Sequence, residues 1–148
     1  MDVHRHCGGG GACPVEKTLT VHPCELGEAL PFLVQITRPK ADTCGGLATV
    51  QDICRHSQVF KVQDNGQTVA AYAVEPYEFD RGVCLFVTAG AGMLDGVDLT
   101  LTMQRVIEAQ AQQVGAQQVG LMTRRPALIK KLKAQGYRVA GVKLVKKI

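Results

Sequence analysis

The sequence predicts one α/β domain with a mixed, mostly antiparallel central sheet flanked by helices. Three observations carry this reading. Runs with apolar alternation and runs with helical spacing follow one another in the order β-α-α-β-β-β-α-β-α-β. "QVFKVQD" and "QTVAAYAVEPYEF" flank Asn65-Gly66, a pair that tolerates the positive φ angles of a tight turn, so they read as a hairpin. The 148 residues, 46% apolar and 20% charged, suit a globular domain with a real core.

Each element has a local reason. Residues 1–16 read as a flexible arm, because four consecutive glycines cost entropy to order. Residues 17–148 then form the domain. "KTLTVH" alternates as a first strand, and "CELGEALPFLVQIT" has helical periodicity interrupted by Pro31, where the helix kinks or restarts. "PKADTCGG" is a loop and "LATVQDICRH" a second short helix. After the hairpin, "GVCLFVT" is apolar on both faces, as a central strand would be. The turn "AGAGMLDGVD" leads to a helix that runs to about Val114 and stops at Gly115. "AQQVGLMT" is a strand, "PALIKKLKAQ" a helix opened by Pro126 and stopped by Gly136, and "YRVAGVKLVKKI" a last strand.

Composition narrows the function classes. No apolar run has the length of a membrane span, and the polar start lacks a signal-peptide core, so the expected location is the cytoplasm. There Cys7, Cys13, Cys24, Cys44, Cys54 and Cys84 are expected as reduced thiols. Charge is split along the chain. Residues 1–108 carry 13 acidic and 8 basic residues, whereas residues 109–148 carry 9 basic residues and no acidic one. Such a split fits either a polyanion partner or a solvated basic face. Nucleic acid is not the expected partner, since aromatic residues are few and no helix-turn-helix or stacking platform accompanies the charge.

The element order, and the segment "LMTRRPALIKKLKAQGYRVAG" within it, resemble the GNAT superfamily of acyl-CoA-dependent N-acyltransferases from roughly residue 19 to 148. Gly136-Tyr137 stands where the family motif N-x-x-A-x-x-x-Y-x-x-x-G-F has Gly-Phe. "MLDGVD" stands where the family has the pyrophosphate loop Q/R-x-x-G-x-G/A, with Gly96 retained, Met93 in place of Gln/Arg and Asp98 in place of the last Gly/Ala. The terse loop and the pair "TRR" are also similar to small acetyltransferase-like proteins of tailed phages.

The resemblance implies a fold with the fourth and fifth strands splayed apart, acetyl-CoA as cosubstrate and an unknown amine as acceptor. It implies cofactor contacts at Phe86, Val87 and Thr88 on the fourth strand, at Gly96, Val97 and Asp98 in the turn, and at Arg125, with Arg124 and Lys130 near the phosphates. No metal is expected. Asp98, at a helix start, can itself accept the free N–H groups and fill the anion position. An altered loop of this kind implies an acetyltransferase-like protein of reduced or lost activity. The alternative is a non-catalytic binding or assembly protein that uses the basic C-terminal face. A homodimer is left open.

No catalytic residue is assigned. The position of the family's tyrosine acid is Leu132 and that of its asparagine is Arg125. Glu75 and Glu78 stand near a position where the family often has a base, yet glutamates at a hairpin end are commonly solvated. His4, His6, Cys7 and Cys13 are zinc-ligand types, but their spacing reads rather as a tail. Cys84 reads as a small core residue, and Cys24 beside His22 as a weak nucleophile candidate without a third partner.

Overall fold

The described strands form one sheet in the order of the sequence: β1 (Asp2–His4), β2 (Thr18–Pro23), β3 (Gln58–Asp64), β4 (Gln67–Phe79), β5 (Gly82–Gly92) and β6 (Gln118–Leu121). The structure, a computed structural model, describes residues 2–4, 18–94 and 98–148. All neighbours pair antiparallel except β5 and β6, which run parallel. Asn65 (φ 51°) and Gly66 (φ 81°) make the turn between β3 and β4, as the Asn-Gly signal implies.

Helices cover both faces of the sheet. On one face α3 (Leu99–Gln113) buries Leu99, Val106, Ile107 and Ala111 against Val21, Phe60, Val62, Tyr72 and Leu85. The i, i+3, i+4 spacing of those helix residues makes one apolar stripe. Ile107 is almost wholly buried, so truncating it to alanine would cost about 2–5 kcal/mol. On the other face, α1 (Leu26–Leu33) and the short α2 (Val50–Ile53) pack on Val59, Ala71, Ala73 and Ala89. Alternation along β4 divides its side chains between the two cores. Pro31 lies inside α1, and the chain then tightens into a 3₁₀ turn over Val34–Thr37. Thr49 and Asp52 form a reciprocal capping box on α2. The last helix, α4 (Pro126–Lys133), opens on proline; at its end Tyr137 N–H reaches back to the Leu132 carbonyl.

Within the segment read as an arm, Asp2–His4 pairs with Thr18–Thr20; residues 5–16 lie outside the described residues. Two expectations are corrected. The segment "AGAG" is strand rather than turn, because β5 continues opposite Ala70–Ala73 to Gly92. Most consequentially, "YRVAGVKLVKKI" is not in the sheet. A strand needs a ladder partner, and among the described residues 138–148 make no backbone–backbone hydrogen bond. This tail lies on the loop before α2 instead, with Lys143 Nζ donating to the Thr43 carbonyl at 2.9 Å and Val145 beside Gly45.

Candidate functional site

The site begins where two parallel strands part. β5 and β6 pair from Cys84↔Gln118 to Val87↔Leu121 and no further. β6 ends there, while β5 runs on for five residues, Thr88 to Gly92, of which Ala89–Gly92 pair with β4, and none has a backbone partner on the β6 side among the described residues. An extended ligand carrying amide groups could complete that edge in the way a peptide strand would. The end of this pairing lies where the resemblance implies a splay between the fourth and fifth strands of the domain.

A bulge marks the same point. Ala73 pairs with Ala89 but Val74 pairs with Val87, so Thr88 is the extra, unmatched residue. Its side chain turns to the α1–α2 side, where Thr88 Oγ1 and Ser57 Oγ share a 2.7 Å hydrogen bond. The Cys54 thiol also bonds Thr88, but burial pushes its pKa up overall, so it stays a neutral thiol. Cys54 and Ser57 line a cleft of about 440 Å³ whose other walls include Cys24, Glu25, Gln51 and Gln58. Thr88 therefore links the free edge of β5 to the floor of a polar cleft. Glu25 is the only acidic residue of that lining, and Arg55 at its rim is engaged by Asp52 at 2.7 Å. Burial, with Glu28 nearby, raises the pKa of Cys24, which argues against a thiolate nucleophile there.

The residues expected at the cofactor divide. Phe86 stacks on Tyr77 with ring centroids 5.1 Å apart, and its ring passes so close to Gly120 that a Cβ there would sit 3.3 Å from it. Val87 packs against the α3 core and Thr88 holds the bulge. Gly96 and Val97 lie outside the described residues. Asp98 is the N-cap of α3, its Oδ1 accepting from Leu101 N–H at 3.3 Å. Its Oδ2 stands 3.7 Å from Lys131 Nζ on α4. A carboxylate thus occupies the N-terminal end of α3, where the helix dipole would otherwise favour a phosphate.

Arg125 is the N-cap residue of α4, exposed, with no side-chain capping bond. Arg124 donates to the carbonyls of Pro39 and Asp42 at 3.3 Å each. Leu132 is buried and carries no proton to give. Glu78 is exposed and Glu75 half-buried, both on the part of β4 that extends past β3. Cys84 is buried as a core thiol. The Tyr137 hydroxyl donates to Gln104 Oε1 at 2.8 Å, and burial pushes its pKa up to about 12. Sequence reasoning missed Ser57, Cys54 and Lys131. The first two meet Thr88 across 31 and 34 residues of chain, and only Asp98 itself hinted at a nearby cation.

No protein-family model matches the chain, and no curated protein matches it. Solved structures do. An acetyltransferase of Trypanosoma brucei matches with a TM-score of 0.62 at 15% identity, over 88% of this chain and 99% of that one. A predicted acetyltransferase of Clostridium acetobutylicum, solved with acetyl-CoA, matches at 0.60 and 12% identity, over 87% and 96%. The glucosamine-6-phosphate N-acetyltransferase of Arabidopsis thaliana matches at 0.58 and 12% identity, over 87% and 97%. At such identities the likeness is one of fold.

Proposed function

We infer, from a chain that has the GNAT acyl-CoA-dependent N-acyltransferase fold, that the protein is an acetyl-CoA-dependent N-acetyltransferase with a restrained cosubstrate site. The observation that carries this reading is the free edge of β5 from Thr88 to Gly92, opened by the parting of β6. Its unpaired N–H and C=O groups fit the amides of an extended pantetheine arm. The fit at the phosphate end is poorer, because Asp98 already caps α3. A carboxylate about 4 Å from a phosphate charge costs on the order of 4 kcal/mol at an effective dielectric of ~20, less with solvent screening.

Acetyl-CoA supplies a thioester reactive toward a neutral amine. The polar cleft beside Ser57 and Thr88 is where a neutral amine acceptor would wait, with the Glu25 carboxylate available to accept a hydrogen bond from its N–H. Among the described residues of the cleft none has the geometry of a strong general base, and an amine that is already neutral needs none. In the family the leaving thiolate often takes its proton from a helix tyrosine; that position is Leu132 here, so as the C–N bond forms and the C–S bond breaks, the proton shed by the attacking nitrogen reaches the thiolate directly or through water, leaving the neutral amide and the free thiol. The chain thus orients two reactants and does little proton transfer, a mode in which positioning supplies most of the rate.

Thiol release from acetyl-CoA, followed with a panel of small amines, tests the reading. Acceptor-dependent release is expected, with Glu25→Gln raising KM for the amine and leaving KM for acetyl-CoA unchanged. Acetyl-CoA binding with no release above background for any amine would reduce the protein to a binding module.

A further inference from the structure

The sheet face that carries the cleft runs on past the cover of its helices. Along β4 and β5, Val74, Leu85 and Val87 pack on the α3 side, so by alternation Glu75, Tyr77 and Phe86 face the α1–α2 side, as Thr88 does. On that side α1 and α2 cover Val59, Ala71, Ala73 and Ala89, whereas Tyr77 beyond them is exposed. Its ring stacks on the half-buried Phe86, and the two make an open aromatic shelf. Glu75 pairs directly with Phe86 across the strands. Burial, helped by the Glu75 carboxylate, pushes the Tyr77 phenol above its usual pKa, which places that charge near the ring. Shelf and cleft adjoin. Gln58, a cleft residue, pairs with Val74, the chain neighbour of Glu75, and Phe86 precedes Thr88 by two residues.

We propose that this shelf binds a second, cationic group of the acceptor, which is then an amine with a guanidinium or ammonium about 7 Å from its reacting nitrogen, the span of two strand residues. A cation over an aromatic face is drawn to the ring quadrupole, and more strongly where water is partly excluded. Glu75 supplies the opposite charge beside the rings, and among the described residues no cation pairs with it. On the cleft side Lys61 is held by Glu28 at 3.0 Å and Arg55 by Asp52 at 2.7 Å. An anionic acceptor would instead meet the carboxylates of Glu25 and Glu75. The second charge also suits the chemistry in the cleft. A cation near the reacting amine disfavours its protonation and so raises the neutral fraction, which a site without a strong base requires. The role of the cleft rests on the acetyl-transfer reading, whereas the cation site needs no cosubstrate.

Agmatine, a primary amine joined to a guanidinium by a butyl chain, is the probe, with hexylamine and 5-aminopentanoate as its neutral and anionic counterparts. In thiol release, kcat/KM should be about 10-fold or more higher for agmatine than for hexylamine, and Glu75→Gln should bring that ratio to within about twofold. Glu75→Lys should reverse the order of agmatine and 5-aminopentanoate, which no loss of folding could mimic. Calorimetric titration with agmatine, without acetyl-CoA, reads the shelf by itself. Wild type should bind agmatine at least ~10-fold more tightly than Glu75→Gln does. If no amine releases thiol while that difference in binding holds, the transfer reading fails and the cation site stands. Equal kcat/KM for agmatine and hexylamine in wild type, a preference that survives in Glu75→Gln, or equal agmatine binding by the two proteins would overturn the proposal.

Discussion

Asp98 Oδ2 on the cap of α3 stands 3.7 Å from Lys131 Nζ on α4. Both side chains are about half exposed, so the pair itself adds little stability. Its meaning lies in position. The carboxylate caps the end of the helix where a phosphate would sit, and the cation beside it comes from another helix because Met93 offers none. In the proposed complex Lys131 turns from Asp98 to the phosphates. Lys131→Met should therefore lower acetyl-CoA affinity several-fold at low salt and less at high salt. Its unfolding midpoint in urea should stay within about 0.5 kcal/mol of wild type. Equal loss of affinity at all ionic strengths would place Lys131 outside the phosphate contact.

Thr88 separates backbone from side-chain roles. Thr88→Val keeps the shape and strands the Ser57 hydroxyl, so stability should fall by about 1 kcal/mol in urea denaturation. The β5 backbone, in this account, holds the cosubstrate, so acetyl-CoA affinity should change less than about twofold, well under 1 kcal/mol. A large loss of affinity would show that the hydroxyl, not the strand edge, is the cosubstrate contact.

The limits of the sequence have physical causes. The Asn65-Gly66 hairpin, the α3 stripe and the helix opened by Pro126 are decided within a few residues, and the structure contains each of them. "YRVAGVKLVKKI" has strand alternation too, but a strand is settled by its neighbour, and the tail has no ladder partner among the described residues. "AGAG" looked like a turn because glycine and alanine are small. That smallness lets β5 continue there: a Cβ on Gly92 would run into Ala70 of β4. At the site, Asp98 was legible as a cap from its place before an apolar run. The Ser57–Thr88 contact depends on a bulge, which shifts register by one residue and leaves no local sign.

Tyr137 gives a pH signature. Its pKa is raised by burial from 10.0 to about 12 in the folded chain. Between those values the unfolded chain has lost a proton that the folded chain still holds, so stability is full below about pH 10 and falls as pH rises toward 12. Tyr72, raised in the same direction by burial, adds to the fall. Urea midpoints measured across this range should drop for wild type and drop less for Tyr137→Phe. Parallel curves for the two proteins would mean that the phenol is as accessible folded as unfolded.

The central claim is that acetyl-CoA lies along the free edge of β5 and that Asp98 competes with its phosphates at α3. Calorimetric titration with acetyl-CoA, of wild type beside Asp98→Gly combined with Met93→Arg, addresses it most directly. Glycine keeps most of the capping preference, losing only a few tenths of a kcal/mol, so the unliganded proteins should be nearly equal in stability. The account predicts weak binding by wild type and at least ~10-fold tighter binding by the double variant, about 1.4 kcal/mol. Equal affinity in the two proteins, or no binding by either, would contradict it.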